Sequence, residues 1–447
     1  MKKLLQPIQV AVRSQRIAWI AYSYGLGGAL AALGIEVGKR GLTFARIWRT
    51  PVFPLDGVLG RNLAKTFSKL GPTFIKLGQL MASRPDLVGE AVSEELKVLF
   101  DRVPAMSYSH VRKILVSELG KEKIKRLIKE IQKEPLASAS IGQTHRATLR
   151  DGTPIILKVQ RVGVAELVAL DLTILEGIVR SLSKWSTRFD LNQIFLDFKE
   201  ATLREIDYRE EAKNIERFHK NYWKLFSDPA VVFPHCFSEL TTEKVIALEP
   251  LHGKKIAALQ KGSTVARKAA HMTVSAILEQ IFDHGFFHAD PHAGNLFFLE
   301  EGRIGLIDLG LVGQLDPKDK RKFLRVLLAV LEQDRDRLSR ALFELGIPSV
   351  KTSFKKFDKD IQDLLDQLKK EGLQNIRMDK LVTSLFSVAR QNGIAIPQRY
   401  ILMLRSCLII EGVAKSLDPQ ISIAKIAAPI VAKSLIKSYN PFRFFRQ

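Results

Sequence analysis

The chain has 447 residues and is 46% hydrophobic, enough for a sizeable core in two or three domains, which excludes a disordered tail. Two cysteines, Cys236 and Cys407, exclude a disulfide framework and a cysteine-rich zinc site, and they fit a reducing compartment. The formal net charge of +22 calls for an anionic partner: nucleotide, acidic lipid or nucleic acid.

The charge gathers at the two ends. In residues 1–50, Lys2, Lys3, Arg13, Arg16, Lys39, Arg40, Arg46 and Arg49 stand against Glu36 alone. Residues 419–447 hold Lys425, Lys433, Lys437, Arg443 and Arg446 and no acid, and the last helix reads as basic and amphipathic. Both ends are also apolar, a pairing that points to an anionic membrane surface. Nucleic acid is not expected as a partner, because no reading module is recognisable. Ile17 to Ile35 is uncharged and just reaches spanning length, yet Tyr22, Ser23, Tyr24 and four glycines keep it only modestly hydrophobic. Basic residues flank it on both sides, so a membrane span and an interfacial or packed helix both remain open. No small-x-small site followed by a polar start marks a signal peptide.

Pro51 and Pro54 mark a boundary. Leu63, Phe67, Leu70, Phe74 and Leu77 then recur at three or four places in residues 63–88, which predicts an amphipathic helix with a break at Gly71-Pro72 and a stop at Arg84-Pro85. Lys76-Leu77-Gly78-Gln79 lies inside it. Residues 91–132 read as charged helix interrupted at Pro104, with a cap at Ser107.

From Pro135 the texture changes. The loop Ala137-Ser138-Ala139-Ser140 precedes two alternating runs, Thr144 to Leu149 and Pro154 to Val159, joined by the turn Arg150-Asp151-Gly152-Thr153. Lys158 sits among apolar neighbours in the second run, so it must face out or find a carboxylate. The loop stands where a Gly-rich phosphate loop is expected, but G-x-G-x-x-G is absent, and alanine and serine have less access to positive φ. Residues 193–220 read as one helix, on which Asp207 and Glu211 are four apart and share a face. One of these acids is expected to pair with Lys158. Val231–Phe233 and Lys244–Leu248 read as short strands. Glu249-Pro250 reads as a hinge whose backbone groups meet an adenine. Residues 264–285 form an apolar-periodic helix, and His271, His284 and His292 lack metal-ligand spacing.

The chemistry concentrates in Phe286 to Gly310. His288-Ala289-Asp290 is followed five places after the aspartate by Asn295, the H-x-D-x-x-x-x-N frame of a kinase catalytic loop with alanine in place of arginine. Leu296 to Leu299 and Ile304 to Ile307 flank a Glu-Glu-Gly-Arg turn and predict a β-hairpin, which brings Asp308 back towards Asn295. Asp308-Leu309-Gly310 takes the place of D-F-G. Mg²⁺ takes one or two side-chain oxygens beside phosphate and water, which Asp308 and Asn295 supply, while Asp290 orients the attacking hydroxyl or water. After Gly310 the pattern is helical to the end.

Taken together, these residues resemble the UbiB/ADCK family of atypical protein-kinase-like proteins, from about Leu63 to about Asp316 and more loosely beyond. The marks are the K-x-G-Q of Lys76 to Gln79, the Ala-Ser loop, Lys158, the E-x-D of Glu205 and Asp207, the His288–Asn295 loop and Asp308-Leu309-Gly310. Ser138 departs from the family's run of alanines. The resemblance implies an α+β, bilobal protein-kinase-like fold with an N-terminal helical extension and extra C-terminal helices. The expected segments are 1–55, 56–132 with the extension, 133–250 and 251–418 as the two lobes, and 419–447. ATP and Mg²⁺ are the implied cofactors. The resemblance implies that Lys158 is catalytic with Asp290 and pairs with Glu211. It also implies that Glu205 and Asp207 hold Lys76 near the phosphates, on an extension that carries Gln79 over the site. It implies an ATPase or kinase supporting ubiquinone or other isoprenoid-quinone biosynthesis. The implied partners are quinone-precursor lipids or quinone-biosynthesis proteins at the cytoplasmic face of an inner membrane, with peripheral or weak anchoring. A catalytically weak pseudokinase scaffold is the alternative, and the intact Lys158, Asp290, Asn295 and Asp308 set speaks against it.

Overall fold

Alternation of buried and exposed positions sorts the chain into helices and short strands in a computed structural model, which describes residues 2–28, 35–38, 41–44, 56–82, 84–100, 105–183, 191–223, 230–332, 334–348, 352–370 and 378–439. Two units are distinguished: Met1–Ala212 with Cys236–Pro250, and Lys213–His235 with Leu251–Gln447. The second thus takes in residues 213–235, which sequence alone groups with 133–250.

In the first unit, Asp56 caps the helix Gly57–Leu70 by accepting from the Leu59 amide. Gly71, at φ 104°, ends that helix, and Pro72 opens the next, Pro72–Ala82. Their apolar faces bury Phe67, Leu70, Phe74 and Ile75 against Val92 and Leu96 and against Val168 and Leu172 of the helix Val164–Ser183. The N-terminal helix Lys2–Ser23 is fixed to the same core by an ion pair. Arg13 Nε and Nη2 donate to Asp171 at 2.7 and 3.0 Å, and Nη2 also reaches the Leu70 carbonyl at 2.8 Å. Arg13 is 7% exposed and Asp171 0%.

An antiparallel sheet follows, in the order Ile128–Ile131, Gly142–Leu149, Pro154–Gln160, Val245–Leu248, with Ala137–Ser138 paired beside Gly142–Leu149. The Arg150–Thr153 turn sits where the sequence places it. Ile128–Ile131 corrects the expectation of helix to residue 132: Ile128 joins Ala147, Ile155 and Leu157 in the core, and strand pairing outweighs the helical charge pattern. The helix expected over 193–220 is two helices, Leu191–Glu205 and Tyr208–Trp223. The break is held because Gln160 Nε2 donates to the Ile206 carbonyl and the Tyr208 amide donates to the Glu243 carbonyl at 3.0 Å. Asp207 therefore precedes the second helix and does not share a helical face with Glu211.

The second unit holds a four-stranded sheet ordered Val231–Val232, Ile304–Leu306, Leu296–Leu299, Gly253–Lys255, which contains the expected hairpin. Phe286–His288 pairs with Val312–Gln314, so the chain is not helical directly after Gly310. The helix Thr264–Glu279 widens into a π-turn, Gln280–His284, ended by Gly285 at φ 66°. Later helices include Pro317–Leu331, Gln398–Leu417 and Ile423–Tyr439.

In the Ile17–Ile35 stretch, the helix ends at Ser23 and Gly25 turns at φ 81°. Residues 29–34 lie outside the described residues. No described helix is long and apolar enough to cross a membrane.

Removing one partner of the Arg13–Asp171 pair strands a desolvated charge and is expected to cost ~3–5 kcal/mol, whereas replacing both with apolar residues of similar volume recovers most of it. Urea unfolding of Asp171→Ala, Arg13→Met and the double variant Arg13→Met/Asp171→Leu checks this.

Candidate active site

In the first unit, burial of Leu157 and Val159 on one face of the strand turns Lys158 to the other. Its Nζ meets Glu211 Oε2 at 2.9 Å, on a carboxylate side chain only 3% exposed. The Tyr208 ring lies 5.2 Å from the same ammonium. A Cβ at Gly142 would come within 2.3 Å of the Tyr208 hydroxyl and 2.6 Å of the Val159 carbonyl, so only glycine lets tyrosine and strand approach there. The loop before the strand is fastened from behind. Arg161 Nε donates to the Ala139 carbonyl at 3.0 Å and Nη2 to Ser138 Oγ at 2.8 Å. Ala137 pairs with Thr144 and Ser138 with Gln143, and Ser140 is half-buried.

Lys76 forms an ion pair with Glu205. Gln79 Nε2 donates to the Leu99 carbonyl at 2.9 Å. A Cβ at Gly78 would stand 2.2 Å from Leu99 Cδ1, so the glycine between the lysine and the glutamine is a packing requirement. The Asp207 carboxylate takes Arg209 Nε and Nη2 at 2.8 and 2.7 Å and the Arg209 amide at 3.0 Å. Glu249 is exposed at the end of the strand Val245–Leu248.

In the second unit, the loop after Phe286–His288 is built around His288, which is 0% exposed. Burial holds its pKa below the usual imidazole range. Nδ1 accepts the Asp290 amide at 3.1 Å, which leaves the proton on Nε2, 3.4 Å from the Ile307 carbonyl. Asn295 Nδ2 reaches the Asp290 carbonyl at 3.4 Å, and the Ile307 amide donates to the Asn295 carbonyl at 3.0 Å. The hairpin therefore places Asp308 directly after a residue bonded to Asn295. Asp308 is exposed and has φ 57°, the one positive φ outside glycine among the described residues. Leu309 beside it is buried, and its carbonyl accepts from Asn214 Nδ2 at 2.9 Å. An aspartate held in the left-handed region by a buried neighbour is strain of the kind stored at functional sites.

Asp308 and Asn295 fit Mg²⁺. Among the described residues no cluster of three or more His, Cys, Asp or Glu could hold a metal. One carboxylate and one amide oxygen, completed by phosphate and water, is the donor set this hard cation takes.

Two further residues had no sequence signal. Arg405, far along the chain, donates from Nη2 to Asp290 Oδ1 at 3.0 Å. Gln280, on the π-turn, is 0% exposed; its Oε1 accepts the His288 amide at 3.0 Å and its Nε2 donates to Tyr222 Oη at 3.3 Å. Arg161 is the contact a closer reading could have found, since it follows the lysine strand directly.

A strand lysine on a helix glutamate, with a loop aspartate and asparagine and a second aspartate closing a hairpin, defines a kinase-like domain. The chain matches the ABC1 atypical kinase-like domain over residues 98–342 and the UbiB helical domain over residues 361–422. It belongs to the ABC1/UbiB family of atypical kinase-like proteins. An uncharacterised protein of Synechocystis is 33% identical over 381 residues, covering 83% of this chain and 64% of that protein. A probable protein kinase UbiB of Pseudomonas fluorescens is 29% identical over 440 residues, covering 96% of this chain and 82% of that one. Among solved structures, the Rv3197–erythromycin complex from Mycobacterium tuberculosis shares the fold, with a TM-score of 0.53 at 24% identity over 81% of this chain and 90% of that chain.

The π-turn also carries a pH signature. Burial pushes the His284 pKa down to about 4. Its Nδ1 has no hydrogen-bond partner among the described residues, and its ring sits edge-on to Tyr222 at 4.8 Å. The unfolded chain takes up this proton near pH 6.5 and the folded chain only near 4, so His284 makes stability fall as pH drops through that window. His284→Phe is expected to flatten the slope of the unfolding midpoint against pH there.

Proposed function

We propose that the protein binds Mg-ATP and acts as an atypical kinase or ATPase supporting ubiquinone or other isoprenoid-quinone biosynthesis at a membrane. The observation that carries the reading is the Lys158–Glu211 pair, a 2.9 Å contact onto a buried carboxylate. An ammonium so held would meet α- and β-phosphates from a fixed position. Ser138 and Ser140, with Ala137 and Ala139, would lie towards the phosphates, and the backbone around Glu249 would meet the base. Asn295 and Asp308 would hold the metal. Asp290 accepts the proton of the attacking hydroxyl or water. Bound Mg-ATP supplies the phosphoryl group and charge neutralisation. The Lys76–Glu205 pair, on the helical extension that also carries Gln79, supports a role for that extension at the phosphates, with Asp207 two residues beyond Glu205. One observation favours the weaker, scaffold-like reading: Arg161 ties down a loop without glycines.

An ATP hydrolysis assay with anionic liposomes and an isoprenoid phenol tests the reading. Asp308→Asn is expected to weaken Mg-nucleotide binding ~10-fold or more, and Asp290→Asn to lower turnover ~100-fold while binding changes little. Undiminished hydrolysis by Asp290→Asn would remove Asp290 from the chemistry.

The membrane partner is supported by one face of the N-terminal helix. Ile8, Val12, Trp19 and Tyr22 are exposed there by 51–61%, and at 3.6 residues per turn they fall within about 80° of one another. Large apolar and aromatic side chains beside Arg16 suit an acidic bilayer surface and its quinone-precursor lipids, at the cytoplasmic face, as a peripheral contact. Trp19→Glu is expected to reduce flotation with phosphatidylglycerol vesicles by ~5-fold or more. Flotation equal to wild type, or equal with neutral vesicles, counts against this surface.

A further inference from the structure

We infer that Arg405 is the positioning residue for the Asp290 carboxylate, an inference that rests on the reading of Asp290 as the proton acceptor. The catalytic loop brings no cation of its own: residues 286–295 contain no lysine or arginine, and Ala289, immediately before Asp290, is 0% exposed. The guanidinium comes instead from the helix Gln398–Leu417, 115 residues further on, and donates from Nη2 to Asp290 Oδ1 at 3.0 Å.

That helix is seated firmly enough to aim it. The residue next to Arg405, Ser406, is fully buried, and its hydroxyl donates to the His288 carbonyl at 2.7 Å. One turn earlier, the buried Tyr400 gives its hydroxyl to Asp319 Oδ1 at 3.1 Å, and Arg399 Nε stands 2.8 Å from the same oxygen. Successive residues therefore hold the first and third positions of His288-Ala289-Asp290, one through the backbone and one through the side chain.

The consequence is an asymmetric carboxylate. Oδ1 is engaged, and Oδ2 accepts no hydrogen bond among the described residues. A charge-assisted bond to one oxygen fixes the rotation of the carboxylate plane and leaves the other oxygen for the acceptor's proton. Both side chains are about a quarter exposed, so water competes for the contact and geometry matters more than net attraction.

The experiment is a double-mutant cycle on ATP hydrolysis by the full chain, with nucleotide affinity and thermal melting measured beside it. Arg405→Gln keeps much of the stem and a donor but drops the charge and the fork. It is expected to lower kcat ~10-fold or more with KM for ATP changed less than ~2-fold, and Arg405→Lys is expected to recover part of the loss. On an Asp290→Asn background, Arg405→Gln should add less than ~2-fold, because it acts through that carboxylate. Equal losses on both backgrounds, an unchanged kcat, or a raised kcat would each overturn the inference while leaving Asp290 in place. Full activity of Asp290→Asn alone would instead retire the underlying reading. A lowered melting temperature for Arg405→Gln with kcat intact would assign Arg405 to stability alone and also overturn it.

Discussion

An ammonium cannot sit in an apolar strand without a partner, and much of the first unit is arranged to meet that demand. Leu157 and Val159 on either side of Lys158 are fully buried, so Lys158 emerges onto a face where Glu211 must be waiting. Glu211 is in reach because a new helix begins at Tyr208, and it begins there because Gln160, two places beyond Lys158 on the same strand, occupies the Ile206 carbonyl. Tyr208 then lies against the ammonium, and Gly142 leaves room for its hydroxyl. Strand, helix break, new helix and glycine are thus set by one charge.

What was legible in the sequence was local. Both hairpins announce themselves through turn residues between alternating runs, and the His288–Asn295 frame and Asp308 are short-range spacings that survive folding unchanged. What escaped was decided by distant partners. Ile128–Ile131 carries a helical charge pattern and becomes a strand because a neighbouring strand offers its edge. Residues 193–220 keep helical periodicity through the break, since Ile206 and Asp207 are no breakers by type; backbone groups taken by Gln160 and Glu243 end the helix. Arg405 is invisible for the same reason: no pattern within the Gln398–Leu417 helix distinguishes it from any other surface arginine until the loop is folded beneath it.

Composition also overstated how much of the basic charge at the two ends is left over from ion pairs within the fold. Arg13 is spent on Asp171 in the interior. Lys433 and Lys437 both reach Asp283, at 3.2 and 2.7 Å. Burial alone would raise that carboxylate's pKa, and the two lysines more than reverse it. The C-terminal helix thereby docks through the cations that made it look like a free basic segment, with Ser434 adding a bond to the Phe282 carbonyl at 3.1 Å. The case for a bilayer contact passes from net charge to the apolar face of the first helix.

The π-turn at Gln280–His284 has a consequence for how relatives should be compared. A π-turn is an α-helix carrying one surplus residue. Without it, everything after the insertion would rotate by about 100°. Gln280 would keep its place or His284 would, but not both, so the amide under His288 and the ring against Tyr222 could not be supplied together. An alignment that trims a residue from this turn to avoid a gap therefore shifts the register of every support beneath the loop, and a chimera spliced on that alignment inherits the loop's sequence without its foundation.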